Sequence, residues 1–267
     1  MSSGSQKTGH RAGFVNIIGN PNVGKSTLMN ALVGEKLSIV TAKAQTTRHR
    51  IMGIVNTDDY QIVYSDTPGM LKPTYRLQED MMKFVDTAIG DADIILYVTD
   101  VVEKSDKNSE YIEKLRKLDC PVVVAVNKID ISDQQKVLSL LEYWQKTLPD
   151  ALVIPVSAKE HFNLESILNA IVSRLPLSPP WFDKDQFTDR SLRFFASEII
   201  REKILENYSQ EIPYSCEVGI EAFKEGRDRY EISAVIFVMR DSQKGIIIGK
   251  GGSALKKVGT EARLDME

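Results

Sequence analysis

The chain has 267 residues, 42% hydrophobic and 27% charged, with a formal net charge of −3. That length suits two domains with cores of their own, and the charge argues against bulk electrostatic attraction to nucleic acid. No apolar run approaches the ~20 residues that span a bilayer, no signal peptide is visible, and the two cysteines, Cys120 and Cys216, read as buried small hydrophobes in a reducing compartment.

Residues 1–11 open the chain as a Ser/Gly-rich tail. A strand is predicted over 13–18, and it delivers Gly19-Asn20-Pro21-Asn22-Val23-Gly24-Lys25-Ser26, which reads G-x-x-x-x-G-K-S. Thr27 continues into a helix predicted over 25–33, closed by Gly34. Strand, glycine loop and helix start together form a nest of backbone N–H groups at the positive end of a helix, suited to phosphate. Lys25 adds a point charge for the β- and γ-phosphates, and the Ser26 hydroxyl is a Mg²⁺ ligand.

The polar stretch Lys43 to Arg50 follows. One of its threonines can complete the Mg²⁺ shell; Thr47, directly before an arginine, is preferred over Thr46 by analogy. Strands are predicted over 50–56 and 60–65, the second leading into Asp66-Thr67-Pro68-Gly69. An acid at a strand end facing the phosphate loop can hold Mg²⁺ through a water, and the Gly69 N–H can reach a γ-phosphate unobstructed. Met70 follows that glycine and has no donor or acceptor able to orient an attacking water, so slow intrinsic hydrolysis is expected. Arg48 is a candidate arginine finger.

A helix over 78–89, a strand over 93–99, a helix over 108–118 and a strand over 121–126 come next. The last of these opens into Asn127-Lys128-Ile129-Asp130, an N-K-x-D. The Asp130 carboxylate only accepts hydrogen bonds. Guanine offers it two donors, N1–H and the 2-amino group; adenine offers none there, and such a mismatch is rejected by factors of order 10⁴. Asn127 can span the O6/N7 side, and the stem of Lys128 can lie on the base. After a helix over 133–147 and a strand over 152–156, the Ser157-Ala158-Lys159 amides can donate to guanine O6; a helix over 163–174 completes the region. Alternating strands and helices predict an α/β domain with a mostly parallel sheet and helices on both faces. Its motifs should converge on one sheet edge, binding GTP or GDP.

Three prolines between Leu175 and Phe182 mark residues 176–189 as a linker between a GTPase domain at 12–175 and a smaller domain at 190–267. There Asp189 reads as an N-cap. A helix follows with an apolar face of Leu192, Phe195, Ile199, Ile200, Ile204, Leu205 and Tyr208, then strands over 215–223 and 230–239. Ile246-Ile247-Ile248-Gly249-Lys250-Gly251-Gly252-Ser253 then reads as an apolar helix end, a G-x-x-G turn and a new helix start, the core of an α+β type II KH domain. Such a loop clamps about four nucleotides. From Arg190 to Glu267 there are thirteen basic and thirteen acidic residues, yet Arg240, Lys244, Lys250, Lys256 and Lys257 crowd the turn with only Asp241 against them, a basic patch suited to phosphates. The chain stops inside the expected last helix, short of the third KH strand.

The motif set resembles the translation-factor-like class of P-loop GTPases. The phosphate loop together with Gln45-Thr46-Thr47-Arg48-His49-Arg50 resembles the Era family of bacterial GTPases, from about Ala12 to the C-terminus. The resemblance implies a monomeric GTP-driven switch that binds the 3′ end of small-subunit ribosomal RNA and assists 30S subunit maturation. It implies a cytoplasmic protein with peripheral contact at the inner membrane, and catalysis through Lys25, Ser26, Thr47, Gly69 and Mg²⁺. Related GTPases with asparagine at the Asn22 position can bind K⁺ near the phosphates. The alternative is a membrane-associated or cell-cycle regulatory GTPase whose KH region is a protein-binding corner.

Overall fold

A computed structural model describes residues 9–103, 109–227 and 229–267. The first eight residues of the expected tail and the predicted helix start at 108 lie outside these. The chain folds as two compact units. One takes the described residues up to Ser38 together with Thr47–Asp189; the other takes Ile39–Thr46 together with Arg190–Glu267.

In the first unit the strands are β1 (Arg11–Gly19), β2 (Ile51–Asn56), β3 (Tyr60–Asp66), β4 (Ile94–Asp100), β5 (Val122–Asn127) and β6 (Leu152–Pro155). Among the described residues they form one sheet in the order β2-β3-β1-β4-β5-β6. All neighbours are parallel except β2 and β3, which pair antiparallel. The central runs Ile94-Ile95-Leu96-Tyr97-Val98 and Val123-Val124-Ala125-Val126 are buried throughout, as strands sandwiched between helix layers must be. The helices are α1 (Lys25–Val33), α2 (Arg76–Gly90), α3 (Ser109–Leu115), α4 (Gln134–Thr147) and α5 (Leu164–Arg174). The apolar stripe of α2, Met81, Met82 and Val85, packs with Ile18, Ile95, Val124 and Trp144 of α4. Trp144 lies 5.2 Å from the Tyr97 ring. Asp133 caps α4 by accepting the Lys136 N–H at 2.9 Å, worth about 1 kcal/mol.

The segment expected as a linker is part of this unit. Gln61, fully buried, accepts from the Trp181 and Phe182 N–H groups at 2.6 and 3.0 Å and donates to the Phe182 carbonyl at 2.8 Å. The Ile54 N–H donates to the Phe187 carbonyl, and the Thr188 hydroxyl to the Met52 carbonyl. The prolines do stop a helix, but the residues around them strap onto β2 and β3. Asp189, expected to cap the next helix, instead accepts the Met52 N–H at 3.1 Å.

In the second unit, α6 (Leu192–Asn207), β7 (Cys216–Glu225), β8 (Tyr230–Val238), α7 (Asp241–Ile248) and α8 (Ser253–Met266) follow in order. Strands β7 and β8 form an antiparallel pair with a bulge between Ile220 and Ala222. The core gathers Ile204, Tyr208, Ile212, Cys216, Val218, Ile247 and Val258. Ser191 caps α6. The expected apolar face of α6 is buried at Ile204, Leu205 and Tyr208, but Leu192 at its start is 61% exposed, and Glu198, Arg201 and Glu202 are buried as well. Residues 39–46 account for this, because they fold against these charged side chains. Cys216 is buried as expected; Cys120 is only half-buried.

Candidate functional site

The phosphate loop leaves β1 at Gly19 and enters α1 at Lys25. Gly24 sits at φ +95°, a conformation that suits glycine. A Cβ there would also stand 2.3 Å from Asn127 Nδ2. Lys25 is buried, and its ammonium donates to the Asn20 carbonyl at 2.8 Å. Burial lowers its pKa from 10.5 to about 8, against the upward pull of Asp66 and Glu103. A phosphate anion arriving here meets a desolvated cation.

Three oxygens converge beside that lysine. Ser26 Oγ lies 2.9 Å from Thr47 Oγ1 and donates to Asp66 Oδ2 at 2.6 Å; Thr47 Oγ1 reaches the same oxygen at 3.3 Å. Thr46 faces elsewhere, its hydroxyl 2.7 Å from that of Thr41. Asp66 is wholly buried, and burial raises its pKa. Its second oxygen, Oδ1, has no hydrogen-bond partner among the described residues. Two hydroxyls, an orphaned buried carboxylate oxygen and no nitrogen or sulfur make a donor set for a hard divalent cation.

The Asp66–Gly69 loop approaches the phosphate loop closely. A Cβ on Gly69 would lie 2.6 Å from the Pro21 backbone nitrogen. The Thr67 hydroxyl donates to the Ile17 carbonyl at 2.7 Å, and Pro68 is buried. Met70, expected among the nucleotide contacts, is not placed for that. Its side chain is 2% exposed in the core with Met81 and Val85, and its N–H donates to the Gly19 carbonyl. An apolar side chain at the end of β3's loop gains more from the core than from solvent. Arg48 is 3% exposed.

The Asn127–Asp130 and Ser157–Lys159 segments are tied to the phosphate loop through Asn127, 2% exposed. Its Nδ2 donates to the Val23 carbonyl at 2.8 Å, and its Oδ1 accepts the Ala158 N–H at 3.0 Å. Ser157 Oγ donates to Asp130 Oδ1 at 2.6 Å, orienting that carboxylate. Lys128 takes φ +60° and donates to the Asn22 carbonyl at 2.5 Å. Lys159 points to solvent beside Glu160. Thr27 is half-buried in the first turn of α1.

Two residues at the end of β4 belong to this site and escape sequence reading. Asp100, buried, pairs with Lys128 at 2.6 Å. Glu103 accepts from the Asn20 side chain and the Thr99 hydroxyl, each at 2.5 Å. The usable signal was the acid ending an apolar run next to the N-K-x-D strand.

In the second unit, Gly249, Gly251 and Gly252 have φ of +71°, +62° and +80°. A Cβ on Gly249 would stand 2.6 Å from that of Ala254, whereas Gly251 and Gly252 face open space. Lys244, Lys250, Lys256 and Lys257 are exposed around the turn. Ile246, Ile248 and Leu255 expose apolar surface beside them, at 52%, 37% and 37%. A basic rim next to apolar side chains suits a nucleic-acid backbone with unstacked bases.

Two family profiles match the chain: one described as 50S ribosome-binding GTPase over residues 14–128, and one described as KH domain over residues 211–267. Among solved structures, Era in complex with MgGDPNP and nucleotides 1506–1542 of 16S ribosomal RNA superposes with TM-score 0.91 at 38% identity, covering 97% of this chain and 89% of that one. A variant of Aquifex aeolicus Era bound to GDP.AlF4- gives the same TM-score and identity over 96% and 89%. A phosphate loop, an N-K-x-D strand and a glycine-turn KH unit in one chain, similar over nearly its full length to those proteins, place this chain in the Era family of GTPases.

Proposed function

We propose that this chain is a GTP-binding and GTP-hydrolysing switch that binds small-subunit ribosomal RNA through its KH unit and assists 30S subunit maturation. The observation that carries the nucleotide half is Asn127, which joins the phosphate loop to both base-reading loops in one buried hydrogen-bond unit. Lys25 and the loop amides neutralise the β- and γ-phosphates, Asp130 selects guanine, and the Ala158 region lies behind the base. Ser26, Thr47 and Asp66 would hold Mg²⁺, which when bound would offset charge on the transferring phosphoryl group. Gly69 offers its N–H to the γ-phosphate. With Met70 in the core, no side chain at that position orients water, and the intrinsic rate is slow. K⁺ held beside the exposed Asn22 would supply charge there, and hydrolysis is then expected to run faster in KCl than in NaCl; equal rates count against it.

The KH reading rests on the three positive-φ glycines and their exposed lysines. The partner is the 3′ end of small-subunit ribosomal RNA, bound in the cytoplasm by a monomer. The reading carries peripheral membrane contact, and among the described residues no helix is long and apolar enough to cross a membrane. The test compares RNA binding by wild type, Gly251→Asp and Gly252→Asp. Because both positions face open space, the added carboxylates meet the ligand rather than the protein. Loss of RNA with GTPase activity intact supports the reading; unchanged RNA binding overturns the KH assignment. ATP binding equal to GTP binding overturns the nucleotide assignment.

A further inference from the structure

Residues 39–46 directly precede Thr47, yet they fold with the C-terminal unit. Charged side chains on each side of that contact hold them, all within the second unit. Glu202 Oε1 accepts the Val40 N–H at 3.0 Å. Lys43 Nζ donates to the Leu205 and Tyr208 carbonyls at the C-terminal end of α6. Arg201 Nη2 donates to the Thr46 carbonyl. The segment is also closed on itself: the Thr46 hydroxyl lies 2.7 Å from that of Thr41 and donates to the Lys43 carbonyl at 2.7 Å.

Stability alone is a poor explanation for this clasp. Arg201 is 1% exposed, and its pair with Glu198 sits at 2.6 and 2.8 Å. Glu202 is 2% exposed. Arg201 Nη1 is buried with no hydrogen-bond partner among the described residues. Apolar residues of similar volume are often neutral or stabilising in place of buried ions. What the charged set provides is a fixed position for one backbone carbonyl, that of Thr46. The next peptide carries Thr47, whose hydroxyl stands beside Ser26 and Asp66.

We propose that Arg201, Glu202 and Lys43 are positioning residues for Thr47: by fixing residues 40 to 46 they set the backbone that delivers its hydroxyl, and so set the preference for triphosphate over diphosphate. The inference rests on the reading of Thr47 as a Mg²⁺ ligand in the GTP state. By linkage, a nucleotide that engages Thr47 stabilises the clasp, and one that does not leaves it weaker. The side chains that sense this lie on α6, whose Ile204 packs in the core with Val218 and Val258 of the KH unit.

The test uses the full chain with Mg²⁺ and a non-hydrolysable GTP analogue or GDP. Affinities are measured for wild type, Lys43→Met, Glu202→Gln, Arg201→Lys and Thr47→Ala, together with hydrogen exchange at the Val40 amide. Lys43 lies on the loop side of the clasp, so its replacement leaves the core of the second unit in place. The expected result is an analogue affinity about tenfold weaker in each clasp variant, within the usual range of coupling, with GDP affinity within about twofold. In wild type, Val40 exchanges more slowly with the analogue than with GDP. Unchanged analogue affinity in Lys43→Met and Glu202→Gln, or an equal fall for both nucleotides, overturns the inference. If Thr47→Ala loses selectivity while the clasp variants keep it, only the positioning role is lost. If Thr47→Ala keeps selectivity, the ligand reading fails and the inference with it.

Discussion

Raising the pH through 8 isolates one buried ammonium. Lys25 has lost its hydration, and its ammonium donates to the Asn20 carbonyl. Burial lowers its pKa from 10.5 to about 8, a gap of roughly 3 kcal/mol. Between those values the unfolded chain binds more protons than the nucleotide-free protein. Lys25 therefore costs stability in full below about pH 8, and the cost fades as the pH climbs towards 10.5. Nucleotide phosphates reverse the balance, because several negative charges at contact distance favour the ammonium. GTP binding then takes up about half a proton at pH 8 and about a tenth at pH 7, as follows from a free-protein pKa near 8. Isothermal titration in two buffers of different ionisation enthalpy reads that uptake directly. Titrations at pH 8 that give no uptake, with an affinity flat from pH 6.5 to 8.5, would show that Lys25 is not the desolvated cation described here.

Other perturbations act on single contacts. Gly24→Ala forces a Cβ to within 2.3 Å of Asn127 Nδ2 at φ +95° and breaks the bond to Val23; nucleotide affinity should fall roughly 100-fold, about 3 kcal/mol, in a fluorescent-GDP titration, and a change under threefold refutes the contact. Asp130→Asn replaces an acceptor by an amide that can donate, so GTP should lose on the order of 10³-fold while a purine nucleotide with a 2-keto group gains; competition binding decides, and unchanged GTP affinity removes Asp130 from the base site. Gln61→Leu leaves the Trp181 and Phe182 amides without their acceptor, which should cost about 3 kcal/mol in urea unfolding and speed exchange at those two amides; unaltered exchange there contradicts the strap.

The nucleotide unit was readable because its chemistry is local. The glycine loop, the N-K-x-D and the strands that carry them lie within short windows, and β-branched runs such as Val122–Val126 announce a buried parallel strand. What escaped depends on partners distant in sequence. The stretch from Lys43 reads as an ordinary polar loop, and Lys43 meets its acceptors 162 and 165 positions later. Periodicity rightly placed Ile204, Leu205 and Tyr208 of α6 in the core, but α6 also packs on a loop rich in backbone donors and acceptors, so Glu198, Arg201 and Glu202 are buried too. A cluster of charges among Ile199, Ile200 and Ile204 was the available hint. Proline between Leu175 and Phe182 rightly excluded a helix; it could not reveal that Gln61 would hold the segment in place. Met70 was read by position in a motif, whereas the core claimed it.

That strap has a further effect on the chain's life in a crowded solution. Among the described residues strand β2 pairs in the sheet with β3 alone, so its outer row of N–H and C=O groups would otherwise be a template for foreign strands. Phe187, Thr188 and Asp189 occupy part of that row at Ile54, Gly53 and Met52. A nascent or clipped chain ending at Leu175 would expose it and recruit like copies edge to edge, so self-association becomes a hazard of incomplete synthesis rather than of the finished protein.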